Sequence, residues 1–146
     1  MIQNELRSNL SSMPNNTYLG LDVGTKRIGV ARGDAGVRLA FPLDTIEVDG
    51  QEYNRIGELA REHDAIALVV GYPRNQAGDP TAQTASVEQF VEPLRARGLS
   101  VIFQDESVTS VMAEQRLIAS GKAYAKGDID ALAAALILQD YLERRA

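Results

Sequence analysis

The sequence predicts an α/β fold in one domain, with a mixed five-stranded sheet flanked by helices. Three strand-like segments come first and are separated by short turns, as in an antiparallel meander. Helical and strand-like segments then alternate, which is typical of parallel strands joined by crossover helices. With 146 residues, 45% of them apolar, the chain can build one hydrophobic core but is too short for two full domains.

The predicted meander occupies residues 18–24, 27–33 and 38–46. Pro42 lies in the third of these segments, which indicates an edge strand or a broken one, because proline has no N–H to donate to a neighbouring strand. Residues 1–16 are polar and contain Pro14, so we expect a mobile N-terminal extension followed by a single domain at 17–146.

Helices and strands alternate in the second half. The run at 65–70 is almost entirely apolar, as in a strand that is buried on both faces. Gly98 is well placed to end the second helix, and Pro93 should kink that helix or start a new turn. The predicted elements are a helix at 54–62, a strand at 65–70, a loop at 71–80, a helix around 87–94, a strand at 99–103 and helices at 109–120 and 128–144.

Composition excludes several kinds of site. The chain has no cysteine and only one histidine, His63, which we expect to be a solvated residue at a helix end. Any metal site must therefore be built from carboxylates. No apolar run is long enough for a membrane span, and residues 1–7 lack the basic and then apolar order of a signal peptide, so we expect a cytoplasmic protein. The net charge of −5 argues mildly against a protein that coats nucleic acid, but less against a nuclease with an acidic site.

Asp22 is the first candidate site residue, because it is an acid inside an apolar first strand. Burying an unpaired carboxylate is unfavourable. Strand alternation puts Asp22 on the same face as Gly20 and Gly24, which leave space above the sheet. The alternative is that Asp22 simply caps the turn at Gly24 and Thr25.

A pair of acids, Asp105 and Glu106, ends the last predicted strand. In sheets with crossover connections, active sites gather beyond strand ends, which makes Glu106 a second candidate. These acids could instead be solvated residues that precede a helix N-terminus, where negative charge is favoured.

Asp130 is the third candidate, at the head of the apolar stripe of the last helix. An acid in that position faces the core side of the helix rather than water. It could alternatively satisfy the free N–H groups of the first turn. Asp128, two positions away, points in the opposite direction and is the expected N-cap. The stripe contains Ala134, Ile137, Leu138 and Tyr141.

Three carboxylates without His or Cys suit Mg²⁺ or Mn²⁺, and two such ions would support in-line attack of water on a phosphodiester. Basic residues near the three acids are candidates for binding substrate phosphates, although exposed lysines are usually only solvated. They are Lys26, Arg27, Arg74, Lys122 and Lys126.

Over residues 17–143 the chain resembles the YqgF-type family, the Holliday-junction-resolvase-like proteins regarded as nucleases of precursor 16S ribosomal RNA. The resemblance implies a ribonuclease-H-like fold, metal binding and catalysis by Asp22, Glu106 and Asp130, and action on structured nucleic acid, chiefly at the 5′ end of precursor 16S rRNA. Four stretches carry the resemblance, in order and at similar spacing: 21–31, 70–73, 105–107 and 129–134.

Three other functions remain open at this stage. The chain, which we expect to be a monomer or a weak homodimer, could be a Holliday junction resolvase, although a resolvase must dimerise to cut a symmetric four-way junction. It could also be a nucleic-acid-binding factor that has lost catalysis. The Asp22–Thr25 motif further resembles the first phosphate loop of actin-like ATPases, although those need two such domains to close over ATP.

Overall fold

The computed structural model describes residues 15–73, 79, 81–106, 115–116, 118–121 and 126–145. The helix predicted at 109–120 lies mostly outside these residues, and its described members, 115–116 and 118–120, are helical. No helix in the described part of the chain is long and apolar enough to cross a membrane. The elements are β1 Thr17–Val23, β2 Arg27–Asp34, β3 Leu39–Glu47, α1 Glu52–Glu62, β4 Ala67–Pro73, α2 Ala82–Ala96, β5 Val101–Glu106 and α3 Lys126–Arg144.

The five strands form one mixed sheet in the order β3-β2-β1-β4-β5. β1 pairs antiparallel with β2, and β2 with β3, through short turns. β4 pairs in parallel with both β1 and β5, and α1 and α2 make the crossovers. The predicted α/β class and the five-stranded mixed sheet are therefore confirmed.

Helices cover both faces of the sheet. α1 and α2 pack on one face, where strand residues such as Leu21 and Val70 meet Ile56 of α1 and Val91 of α2. Of the described helices, α3 is the one that packs on the opposite face, where the core includes Ala31, Val69 and Leu138. The consecutive residues of β1 and β2 alternate between these two cores, as the period of a strand requires.

β3 is an edge strand, as Pro42 indicated, and a register shift next to this proline breaks its pairing with β2. The side chain of Gln139 in α3 satisfies the free side of β3. Its Oε1 accepts a hydrogen bond from the N–H of Ala40 at 2.9 Å, and its Nε2 donates one to the carbonyl of Arg38 at 2.8 Å. The edge is thus partly occupied by a side chain from the helix beneath it.

Two local predictions were wrong, those for residues 71–73 and for Asp128. Residues 71–73, predicted as loop, are strand, because Tyr72 and Pro73 pair with the last two residues of β5. The rest of that loop, 74–78 and 80, lies outside the described residues. α2 runs as one helix through Pro93 to Ala96, so Pro93 does not start a new turn. α3 begins at Lys126 instead of residue 128, so Asp128 lies in its first turn and is not the N-cap.

The N-terminal boundary is tied to the domain by hydrogen bonds. The side chain of Asn15 accepts a bond from the N–H of Thr17 at 3.0 Å. The carbonyl of Asn16 accepts one from the N–H of Ala35 at 2.9 Å. Residues 1–14, most of the predicted extension, lie outside the described residues.

Candidate active site

The carboxyl ends of the three parallel strands β1, β4 and β5 lie side by side at one end of the sheet. Leu21 of β1 is in register with Val70 of β4, which is in register with Phe103 of β5. Asp22 directly follows this row on β1, and Glu106 ends β5. The register therefore places Asp22 and the backbone of Glu106 at the same end of the sheet, where the parallel strands finish.

Asp22 is half-buried on the face that α3 covers. Its cross-strand neighbour is Gly29 on β2. The turn after β1 is closed by a bond from the N–H of Gly24 to the carbonyl of Arg27, 3.0 Å, and no donor in the described part of the chain reaches the Asp22 carboxylate. Asp22 is therefore not the cap of this turn, which was the alternative role. Gly24 lies in the turn and does not contribute the open space that strand alternation predicted.

Asp130 reaches this site from the first third of α3. Its Oδ2 accepts a hydrogen bond from Nε of Arg27 at 2.7 Å, with 24% of the Asp130 side chain and 30% of the Arg27 side chain exposed. The carboxylate is thus engaged by β2 rather than by the N–H groups of its own first turn. Asp128 is exposed, so the predicted difference in direction between the two acids is confirmed.

Glycines on β1 and β2 allow α3 to lie directly on the sheet. A Cβ atom at Gly29 would lie 1.8 Å from the carbonyl oxygen of Asp130. At Gly20 it would lie 2.8 Å from the carbonyl oxygen of Ala134 and from Cβ of Leu138. The space that Gly20 was predicted to leave above the sheet is therefore filled by the helix, and this close approach fixes the backbone of Asp130 beside Asp22.

The electrostatics of the site are dominated by the two acids. Burial, reinforced by the negative charge of Asp130, raises the pKa of Asp22 from 3.8 to about 6. The hydrogen bond to Asp130, followed by the charge of that acid, raises the pKa of Arg27. The guanidinium of Arg27 thus pairs with Asp130, whereas no described cation pairs with Asp22, so the two acids could accept a further cation.

Glu106 is placed by its backbone alone, since its side chain lies outside the described part of the structure. Among the side chains that are described, no three acidic or imidazole groups lie close enough to hold one metal ion. The neighbouring Gln104 is buried, and its Nε2 donates to Oδ2 of Asp140 in α3 at 2.8 Å. This bond fastens the end of β5 to the helix that carries Asp130.

The predicted phosphate-binding residues have different environments. Lys26 is exposed in the turn between β1 and β2, shortly after Asp22 in sequence. Arg27 is held by Asp130. Lys126 is the first residue of α3, and its side chain is not described. Arg74 and Lys122 lie outside the described residues.

Sequence reasoning missed the part played by Gly29. Small residues at every second position of β2, namely Gly29, Ala31 and Gly33, are the signal that could have found it. Such a row indicates a strand against which another backbone packs closely.

Comparison with known proteins shows the family to which the chain belongs. Residues 16–144 match the model of the family described as RuvX, Holliday junction resolvase. A protein of Chloroflexus aggregans named "Putative pre-16S rRNA nuclease" is 43% identical over 138 residues, which cover 91% of this chain and 97% of that protein. A protein of the same name from Lactococcus lactis (strain IL1403) is 38% identical over 135 residues, covering 88% and 94%.

Solved structures share the fold at low sequence identity. RuvC of T. thermophilus in complex with a Holliday junction substrate has a TM-score of 0.54 at 17% identity, covering 88% of this chain and 95% of that one. The Fowlpox virus resolvase in complex with Holliday junction DNA has a TM-score of 0.50 at 13% identity, covering 88% and 98%. The predicted ribonuclease-H-like fold is thereby confirmed. The chain belongs to the RuvX family of Holliday junction resolvases, and it is a phosphodiester-cleaving nuclease.

Proposed function

We propose that the chain is a Mg²⁺- or Mn²⁺-dependent endonuclease that processes the 5′ end of precursor 16S rRNA, with Asp22, Glu106 and Asp130 as metal ligands. The observation that carries the proposal is that Asp22 and Asp130 lie close enough for the charge of Asp130 to raise the pKa of Asp22. They come from opposite ends of the domain and are held side by side by the packing of α3 on Gly29.

The donor set fits a hard divalent cation. Both described acids offer carboxylate oxygens, and such oxygens are the ligands that Mg²⁺ and Mn²⁺ prefer. No described donor satisfies Asp22, and burial together with the charge of Asp130 raises its pKa to about 6. A bound cation would offset both effects at once, because it favours the ionised form of each acid. Only Oδ2 of Asp130 accepts a bond from the described residues, which leaves Oδ1 to bind a metal.

Each site residue has a separate role in the proposed cleavage. When bound, the metal supplies an activated water and stabilises the oxygen that leaves the scissile phosphate. Asp22 and Asp130 hold their carboxylates in fixed positions on β1 and α3. Glu106 is the proposed third ligand, because β5 finishes at the same end of the sheet as β1, which carries Asp22. Lys26, exposed beside the site, would bind a substrate phosphate.

Two arguments favour RNA as the substrate over a four-way junction. The relatives with the higher sequence identity are named for precursor 16S rRNA. A four-way junction is resolved by paired cuts and so needs two active sites, whereas trimming one RNA end needs one site, which a monomer or a weak dimer provides. A precursor rRNA substrate also agrees with the cytoplasmic location that the sequence predicts.

The test is cleavage of two labelled substrates, an RNA with the 5′ segment of precursor 16S rRNA and a synthetic four-way DNA junction. Each is incubated with the protein in Mg²⁺, Mn²⁺ or EDTA. We expect metal-dependent cleavage of the RNA that is lost in Asp22→Asn, Glu106→Gln and Asp130→Asn. Glu62→Gln, at an exposed acid on α1, is the matched control and should retain full activity.

The outcomes separate the competing functions. Preferential, symmetric cleavage of the junction would make the chain a resolvase. Binding of either substrate without cleavage in any metal would make it a nucleic-acid-binding factor. Robust cleavage in EDTA would refute the metal-dependent mechanism.

A further inference from the structure

Arg27 provides the one hydrogen bond to Asp130 that comes from the described residues, with Nε lying 2.7 Å from Oδ2. Its place beside Lys26 in the first motif made it a candidate for binding substrate phosphates. We infer that Arg27 is instead a positioning residue, which fixes the carboxylate of Asp130 for metal binding. This inference rests on the proposed metal-dependent function, because it assigns Asp130 to the metal.

Two residues of β2 constrain Asp130 independently. Gly29 lets the backbone of α3 approach so closely that a Cβ atom there would lie 1.8 Å from the carbonyl oxygen of Asp130. Gly29 therefore sets the position of the helix turn. Arg27 lies two positions away on the same strand and bonds to the side chain of Asp130. Together they leave the carboxylate little freedom to rotate.

Such a constraint matters for a carboxylate that is partly exposed. Without a partner, the Asp130 side chain could turn away from Asp22, because the repulsion between the two charges favours separation. A charge-assisted hydrogen bond from a guanidinium is short and directional, and it holds one oxygen while leaving the other available. Groups that orient metal ligands commonly contribute about 10- to 100-fold in metal affinity or activity.

Two substitutions at Arg27 distinguish a role in positioning Asp130 from a role in binding phosphate. In glutamine, Nε2 is the same number of bonds from Cα as Nε of arginine, so Arg27→Gln keeps the donor to Asp130 but removes the positive charge. In lysine a carbon atom occupies that place and the ammonium lies one bond further out, so Arg27→Lys keeps the charge but has no donor at the Nε position. A positioning role requires the donor, and a phosphate-binding role requires the charge.

The experiment measures kcat and KM on the precursor 16S rRNA probe, Mn²⁺ affinity by calorimetry, and crystal structures of both variants. For Arg27→Gln we expect kcat and Mn²⁺ affinity within about threefold of the wild type, with residue 27 still bonded to Asp130. For Arg27→Lys we expect kcat and Mn²⁺ affinity to fall by about 10- to 100-fold, with KM little changed. Arg32→Gln and Arg32→Lys are the matched controls, because Arg32 is an exposed arginine near the other end of β2.

The opposite pattern would overturn the inference. If Arg27→Lys is normal while Arg27→Gln raises KM, the residue binds phosphate. Equal losses in the two variants, or no loss in either, would also contradict a role based on the Nε donor.

Failure of the proposed function is distinguishable from failure of the inference. If the wild type cleaves no substrate, or binds no Mn²⁺, the proposed function fails. The orientation of Asp130 in the two crystal structures still tests the positioning role, because a side chain that stays in place in Arg27→Lys does not depend on the donor.

Discussion

Replacing Asp22 with asparagine should stabilise the metal-free protein. The folded state holds this carboxyl at a pKa of about 6, against 3.8 for an unperturbed aspartate. At 1.36 kcal/mol per pH unit, this difference corresponds to about 3 kcal/mol of unfavourable free energy when the group is ionised. The asparagine amide carries no charge to desolvate and none to repel Asp130, so the variant escapes that cost.

The sign of the pH dependence follows from proton linkage. Between pH 3.8 and about 6, the folded protein binds more protons at Asp22 than the unfolded chain does, so stability falls as the pH rises through this range. The advantage of Asp22→Asn should therefore grow from about 1 kcal/mol at pH 4.5 to about 3 kcal/mol at pH 8. Above pH 7 the difference should be constant.

The assay is urea unfolding in EDTA at pH 4.5, 6 and 8, with the free energy of unfolding compared between wild type and variant. Glu62→Gln is the control, since it removes an exposed acid of α1 and should show no such trend. A stability difference that stays the same from pH 4.5 to 8, or a destabilised variant at pH 8, would refute the argument that Asp22 is held in an unfavourable charged state. Adding Mn²⁺ should reverse the ranking, because the proposed metal binds the wild type and stabilises it by mass action.

Three further predictions follow from the packing of α3. Gly29→Ala should destabilise the protein by about 3 kcal/mol in urea unfolding, since its Cβ would lie 1.8 Å from the Asp130 carbonyl oxygen; a loss below about 1 kcal/mol would contradict this close contact. Leu138→Ala should cost about 3 kcal/mol in the same assay, because the side chain is fully buried against Gly20 and Gly33, and equal stability would show that the helix repacks. Asp128→Asn should retain nuclease activity and lose about 0.5 kcal/mol through the helix dipole, while Asp130→Asn should be inactive; the reverse result in parallel cleavage assays would contradict the orientation of the two acids.

Local patterns were sufficient to predict most of the fold. The turn after Asp22, the edge position of the strand containing Pro42 and the end of α2 at Gly98 all depend on residues close together in sequence. Gly98 adopts a φ of +83°, which glycine tolerates and other residues rarely do. Local patterns also indicated that Asp22 and Asp130 each face the core side of their element, because each is an acid on an otherwise apolar face.

Long-range contacts account for the errors. Tyr72 and Pro73 continue β4 because β5 lies beside them, and nothing in their own sequence indicates that partner. The hydrogen bond of Arg27 to Asp130, 103 positions along the chain, was likewise not predictable from spacing in the first motif, and the phosphate-binding role of Arg27 stays a prediction. The third acid, Glu106, stays a prediction.

The hydrogen bonds between Gln139 and the outer edge of β3 make two properties depend on the same helix: the proposed metal site and resistance to aggregation. An unpaired strand edge can template pairing with another chain, and here the exposed side chains of Leu39 and Phe41 lie along the same strand. Gln139 occupies the backbone groups of Arg38 and Ala40 only while α3 packs on the sheet. The same helix carries Asp130. A molecule in which this helix detaches would therefore lose the proposed metal ligand Asp130 and expose an unpaired strand edge in one event. Inactivation and aggregation would then share a common opened state.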